Sequence, residues 1–260
     1  MSGSLIDVRA DGYVRVVTLD DSSRRNALSK QMSEELSEVL HELDDDADVR
    51  AVVLTGKGDV FSSGADMSDE TTHAITEYRQ YNEGRGRMVY DVMEAARFPV
   101  IGAINGPAVG AGAGLAISCD LRIASRDAWI QFAQVRVGVI PANGNTLRLA
   151  RLVGVADTTD IVLTGRKVRM EEAERLRLVN RVVEPDAVLD SAMELAQTIA
   201  RQPPLAVQLG KETIQRDLNL TLTDAARADR HPMFFLFQSE DRKEATAAWL
   251  ERREPKFIGR

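Results

Sequence analysis

The chain has 260 residues, 44% hydrophobic and 28% charged, enough for one large domain or two small ones with a sizeable core, which excludes a disordered or low-complexity polypeptide. A net charge of −7 and a pI near 5.2 exclude a general nucleic-acid role unless a local basic patch exists. The one cysteine, Cys119, closes no intrachain disulfide and builds no cysteine-rich metal site, which fits a cytoplasmic protein, and residues 1–10 hold no apolar stretch flanked by basic residues that would predict a signal peptide.

In chain order, residues 14–19 are apolar and β-branched and predict a strand, with a turn over 20–25. Met32, Leu36, Val39, Leu40 and Leu43 recur at helical spacing, and the run Asp44-Asp45-Asp46 ends that helix. The apolar run 51–55, closed by Gly56 and Gly58, predicts a buried strand, and 60–66 a turn of small residues. A helix is expected over 74–97, with Gly84 and Gly86 as weak points, then a second buried strand over 100–104.

Residues 98–119 carry no charge over about the ~20 residues that a membrane helix needs, but Pro99, Asn105, Pro107 and five glycines would break such a helix. A buried strand, a glycine-rich turn and a short buried helix account for the run, and no membrane association is expected. Strands follow over 119–124 and 129–132. Beyond Gly144 the pattern is helical except for a strand-like piece at 180–183. Strands alternating with helices predict an α/β layered core. The tail from about 200 to 253 is amphipathic through Leu205, Leu209, Phe234, Phe235, Phe237, Trp249 and Leu250, so it either covers the core or builds a subunit contact.

Glycine is abundant, yet Gly110-Ala111-Gly112 is followed by Leu115 where a dinucleotide fingerprint needs its third glycine, and no P-loop exists. His41, His73 and His231 stand apart from other ligand types, so no metal is expected. What remains are two glycine-rich turns after buried strands: Phe61-Ser62-Ser63-Gly64-Ala65-Asp66-Met67, and Asn105-Gly106-Pro107-Ala108-Val109-Gly110-Ala111-Gly112-Ala113-Gly114. Small residues let a ligand approach the backbone and leave N–H groups free to donate. If the turns converge, an oxyanion can sit between two amides beside a helix N-terminus; otherwise both are tight packing against neighbouring strands.

Those turns belong to a longer ordered set: Arg25-Asn26-Ala27-Leu28, Ser63-Gly64-Ala65-Asp66-Met67, Ala103-Ile104-Asn105-Gly106-Pro107, Cys119-Asp120, Phe132, Val137-Gly138-Val139-Ile140-Pro141, Arg151-Leu152-Val153-Gly154, Leu163-Thr164-Gly165 and Pro255-Lys256-Phe257-Ile258-Gly259-Arg260. The set resembles the crotonase (enoyl-CoA hydratase/isomerase) superfamily over nearly the whole chain. The resemblance implies an α/β fold: a spiral of ββα units over 1–200 with an acyl-CoA site, and a C-terminal helical part over 201–260 that trimerises, often into hexamers. It implies an acyl-CoA ligand, no cofactor beyond coenzyme A as part of the substrate, and a thioester oxygen held by the amides of Ala65 and Ala111. It also implies coenzyme A contacts at Arg25, Asn26, Ala27, Leu28, Ser63, Ala65, Asp66 and Met67. Trp249 and Arg252 are further candidates on the C-terminal helix, and Arg24 is a candidate phosphate contact.

The chain departs from the family pattern where hydratases carry two glutamates. The matching positions are Gly114 and Gln134, and neither is a general acid or base. The position where some isomerases and dehalogenases of the family place an aspartate is Ala142. The match of Asp66 commonly holds the turn. Asp69, Glu70, His73, Glu77 and Tyr78 lie near the expected acyl pocket, while Asn143 and Asn145 can orient a water or a substrate carbonyl or simply shape the turn around Pro141 and Gly144. Three readings stay open: an enoyl-CoA hydratase/isomerase-type enzyme or a related activity (dienoyl-CoA isomerase, thioester hydrolase) with a displaced base, a non-catalytic acyl-CoA binding or carrier protein, and a subunit with a vestigial pocket.

Overall fold

The computed structural model describes residues 4–68 and 88–260. A hairpin of β1 (Ile6–Asp11) and β2 (Val14–Leu19), turned at Gly12, starts a six-stranded sheet. Its other strands are β3 (Ala51–Gly56), β4 (Val100–Ile104), β6 (Leu121–Ser125) and β9 (Arg181–Val183), all parallel to their neighbours in the order β1-β2-β3-β4-β6-β9. A second, three-stranded sheet runs β5 (Ala108–Val109), β7 (Trp129–Gln131), β8 (Lys167–Arg169).

The central strands are apolar on both faces because both faces are covered. On one side Val17, Leu19, Val52, Leu54, Val100 and Ile104 join a core with Met32, Leu36 and Leu40 of α1 (Lys30–Asp45) and Met93 of α2 (Val89–Ala95). On the other, Val14, Val16, Ala51, Val53, Ile101 and Ile123 pack on Val188, Ala192, Met193 and Ala196 of a later helix, Val188–Ala200. The helix α1 is capped by Ser29, whose hydroxyl accepts from the Met32 N–H at 3.1 Å. It ends at Asp46, as the acidic run implied.

The short α3 (Ala111–Ser118), apolar up to its last residue, packs into the first of these cores through Ala113, Leu115, Ala116 and Ile117 and starts directly after the glycine turn. The strand expected at 119–124 begins only at Leu121, because Cys119 caps α3. Helices α4 (Asn145–Val153), α5 (Val155–Thr164), α6 (Met170–Arg175) and α7 (Val188–Ala200) follow. The chain then continues through α8 (Pro204–Asp217), α9 (Leu222–Ala228), α10 (Arg230–Gln238) and α11 (Glu240–Glu251). Of the helix expected over 74–97, the described part is α2; Gly84, Gly86, Asp69, Glu70, His73, Glu77 and Tyr78 lie outside the described residues.

The C-terminal part is fastened to the core rather than folded over it. Lys211 of α8 is buried and reaches the carbonyls of Met93 and Phe98 at 3.0 and 2.9 Å and the Asp120 carboxylate at 2.9 Å. Beyond α11 the last residues turn back: the buried carboxylate of Asp241 accepts from the N–H groups of Ile258 and Gly259, and Arg50 donates to the carbonyls of Ala200 and Phe257. Phe234, Phe235, Phe237, Trp249 and Leu250 stay exposed, so in the single chain the amphipathic tail does not cover the core with them. Among the described residues no helix is long and apolar enough to cross a membrane, and no cluster of three or more His, Cys, Asp or Glu side chains is placed to hold a metal ion.

Candidate active site

The two glycine-rich turns lie side by side. Ser62 N–H donates to the Pro107 carbonyl at 3.2 Å and Val109 N–H to the Ser62 carbonyl at 3.0 Å, forming an isolated parallel bridge between Ser62 and Ala108. The approach is close enough to demand glycine. At Gly64, held at φ +101°, a β-carbon would stand 2.6 Å from the Val109 carbonyl oxygen and 3.4 Å from the Ala111 nitrogen, and at Gly112 one would stand 2.5 Å from the Ser62 oxygen.

This packing brings residue 64 against the start of α3. Among the described residues, neither the Ala65 N–H nor the Ala111 N–H donates to any acceptor. For Ala111 the reason is elementary: it is the first residue of a helix, where backbone donors have no intrahelical partner and the helix dipole places partial positive charge. Ala65 is exposed and Ala111 half-buried, so both face accessible space. The Tyr90 hydroxyl donates to the Ala111 carbonyl at 3.2 Å and steadies this turn, a contact that no motif announced.

Residues 25–28 run beside the first turn. Ser63 N–H donates to the Arg25 carbonyl, Leu28 N–H to the Gly64 carbonyl at 2.7 Å and Asp66 N–H to the Leu28 carbonyl, so Leu28 and Ala65 pair as a parallel bridge. Arg25 and Asn26 both adopt the left-handed conformation, φ 57° and 53°. The fully buried Asn26 holds the bend, donating to the carbonyls of Lys57 and Val60 and accepting from Asp21 N–H. Ala27 and Leu28 are buried, while Met67 is 64% exposed. Asp66 is buried with its carboxylate engaged: one oxygen accepts from the backbone and hydroxyl of Ser68, the other meets Arg24 at 3.3 Å. Trp249 and Arg252, at the end of α11, are exposed and make no hydrogen bond to either turn.

One turn along α3 from Ala111 stands Gly114. A β-carbon there would lie 2.5 Å from Nδ2 and 2.9 Å from Cγ of Asn145, so the Asn145 carboxamide occupies the space a side chain at 114 would need. Asn145 is 2% exposed and its Oδ1 is buried without a hydrogen-bond partner among the described residues; the same holds for the Oε1 of the half-buried Gln134. The turn that delivers Asn145 is held from outside: Asn143 and Gly144 adopt φ 59° and 74°, and Arg148 clasps the Asn143 carbonyl at 2.5 Å while meeting Glu94 at 2.6 Å. Among the described residues, the side chain that fills the space beside Gly114 is thus a neutral carboxamide, and Gln134 carries another. Such amides can orient a bound group by hydrogen bonds, while they have no proton to exchange at neutral pH.

Comparisons with known proteins agree along the whole chain. The sequence model of a family described as enoyl-CoA hydratase/isomerase matches residues 9–260. The short-chain-enoyl-CoA hydratase of Clostridium acetobutylicum is 36% identical over 245 residues, 94% of each chain, and a probable enoyl-CoA hydratase of Mycobacterium leprae is 36% identical over 257 residues, 97% of this chain and 98% of that one. Among solved structures, an enoyl-CoA hydratase from Bacillus anthracis superposes with a TM-score of 0.93 at 32% identity, covering 98% of this chain and 100% of that one. DspI of Pseudomonas aeruginosa superposes with a TM-score of 0.92 at 30% identity, covering 99% of this chain and 98% of the other.

Proposed function

Because the chain belongs to the enoyl-CoA hydratase/isomerase family, we propose that it binds an acyl-CoA thioester with the carbonyl oxygen between the amides of Ala65 and Ala111. The observation that carries this reading is a pair of N–H groups without acceptors among the described residues, on two turns locked together by the Ser62–Ala108 bridge. Negative charge that develops on a thioester oxygen, during α-proton loss or addition at C3, falls between two preorganised donors, each worth about 2.7–4 kcal/mol when aimed at an oxyanion. The coenzyme A moiety then lies along Arg25, Asn26, Ala27 and Leu28 beside Ser63, Asp66 and Met67, with Arg24 toward the phosphates. Trp249 and Arg252 complete the site from a neighbouring subunit of a trimer or hexamer. No separate cofactor takes part.

Thioester polarisation survives in this site while acid–base power at the usual positions does not. Gly114 and Gln134 forfeit the ~10²–10⁴-fold that positioned acids and bases contribute, so hydration of short enoyl-CoAs is slow and acyl-CoA binding is the more robust property. The single cysteine, Cys119, with no second thiol to pair with, favours a reducing cytoplasmic setting, and its buried thiol, pushed up to about 12 by desolvation, takes no part in the chemistry.

Proline at position 111 tests the reading directly. Ala111 is the first helical residue, a position that proline tolerates, so the change removes the N–H at the cost of some strain in the turn after Gly110. Ala111→Pro should weaken an enolate-mimicking thioester at least tenfold more than free coenzyme A. Equal weakening of the two, with the fold intact by circular dichroism, would show that this amide does not meet the oxygen.

A further inference from the structure

The Gly114–Asn145 contact points beyond polarisation of the thioester, to a selectivity that depends on the proposed acyl-CoA binding. Asn145 is 2% exposed, and its Oδ1, although buried, meets no donor among the described residues. A buried acceptor without a partner has lost its water and gained nothing in return, so the site favours whatever brings it a donor. The asparagine is not there to pack an empty corner: its carboxamide lies directly against the α-carbon of Gly114, and only the missing side chain of that glycine admits it. Its position is fixed by the left-handed pair Asn143 and Gly144 and by the Arg148 clasp on the Asn143 carbonyl.

Geometry then identifies the donor. Gly114 follows Ala111 by three residues, which places both on one face of α3 about 4.5 Å apart along its axis. With the thioester oxygen at the Ala111 amide, the acyl carbons beyond the carbonyl extend along that face. A hydroxyl two carbons from the thioester carbon spans the gap.

We propose that Asn145 is a specificity-determining residue of the acyl site, its Oδ1 accepting a hydrogen bond from a hydroxyl on the bound acyl chain, so that the protein selects 3-hydroxyacyl thioesters over their saturated counterparts. A site built around an acceptor discriminates against the ligand that leaves it unpaired. A trapped water is the other source of an O–H group, and it would leave the two ligands indistinguishable.

Titration calorimetry with 3-hydroxybutyryl-CoA, butyryl-CoA and free coenzyme A separates these cases. The unmodified protein should bind the hydroxy compound about five- to tenfold more tightly than butyryl-CoA, the span of one net hydrogen bond. Asn145→Ala should bring the two affinities together while keeping butyryl-CoA bound. Gly114→Ala offers an independent route, because its methyl group displaces the carboxamide, and it should erase the same preference. Equal affinities in the unmodified protein, or a preference that survives both variants, would overturn the assignment. Failure of both thioesters to bind better than free coenzyme A would instead overturn the acyl-CoA binding on which the selectivity depends.

Discussion

The carboxamide of Asn145 and the α-carbon of Gly114 compete for one volume: Nδ2 stands 2.5 Å from the point where a β-carbon on residue 114 would sit. A glutamate at residue 114 would therefore collide with the asparagine. Gly114→Glu alone should destabilise the fold by about 1–3 kcal/mol, the usual cost of overpacking, and should not raise crotonyl-CoA hydration. With Asn145→Gly to make room and Gln134→Glu as the second carboxylate, hydration should rise by about 10²-fold or more. A steady-state assay on the single, double and triple variants checks this, and a gain from Gly114→Glu alone would show that the asparagine yields freely.

The C-terminal segment depends on Asp241. Its buried carboxylate accepts from Ile258 N–H at 2.7 Å and Gly259 N–H at 2.9 Å, so Asp241→Ala leaves both donors unanswered. Thermal or urea unfolding should report a loss of about 1–3 kcal/mol, with earlier protease cleavage within residues 254–260. An unchanged midpoint would mean that water replaces the carboxylate at no cost.

Nearby, Glu244 makes the same region acid-sensitive. Arg253 binds both of its oxygens and Lys256 N–H donates to one, and these bonds hold its carboxyl at about 2, below the ordinary 4.5. A carboxyl depressed by folding stabilises the native state above its unfolded pKa, and that contribution is lost as the pH falls through the native value. Glu244→Gln should therefore be less stable than the parent at neutral pH, and the gap should close between about pH 4.5 and 2. A constant difference across that window would remove Glu244 from the titration.

Assembly should follow from the exposed aromatic side chains of α10. Phe234 is 68% exposed and Phe235 and Phe237 about half, a density of apolar surface that soluble monomers seldom leave open. Light scattering should give a trimer or hexamer at micromolar concentration, and Phe234→Asp with Phe235→Asp should shift it toward monomer. A stable monomer of the unmodified chain would count against assembly and against completion of the site by Trp249.

The strands buried on both faces were the most legible part of the sequence. Residues 51–56 and 100–104 are apolar without alternation because helices cover both sides, and little else produces such runs between glycines and prolines. The hairpin strand β1 was poorly legible although Ile6, Val8 and Ala10 alternate with Asp7, Arg9 and Asp11: the run is short and charge-rich, and only Ile6 is buried. Likewise β5 is two residues long and β8 offers Val168 between exposed Lys167 and Arg169, so each exists through its partner β7 rather than through its own composition. In the site, glycine content announced the two turns, because close backbone approach leaves that trace. The contact of Asn145 with Gly114 left none, since it depends on how separate segments meet across α3 and α4.

Lys211 ties the two parts of the chain to each other. Its ammonium group, buried among the carbonyls of Met93 and Phe98 and the Asp120 carboxylate, belongs to a helix beyond residue 200 yet neutralises an acid of the core. A fragment ending at residue 200 would leave Asp120 without the ammonium group that meets it, with Arg122 as the remaining nearby cation, and the complementary piece would carry a lysine with no acid to meet. The two sides of the boundary near 200 are therefore expected to unfold together, and shuffling these halves between homologous proteins should succeed best where this charge pair is exchanged as a pair.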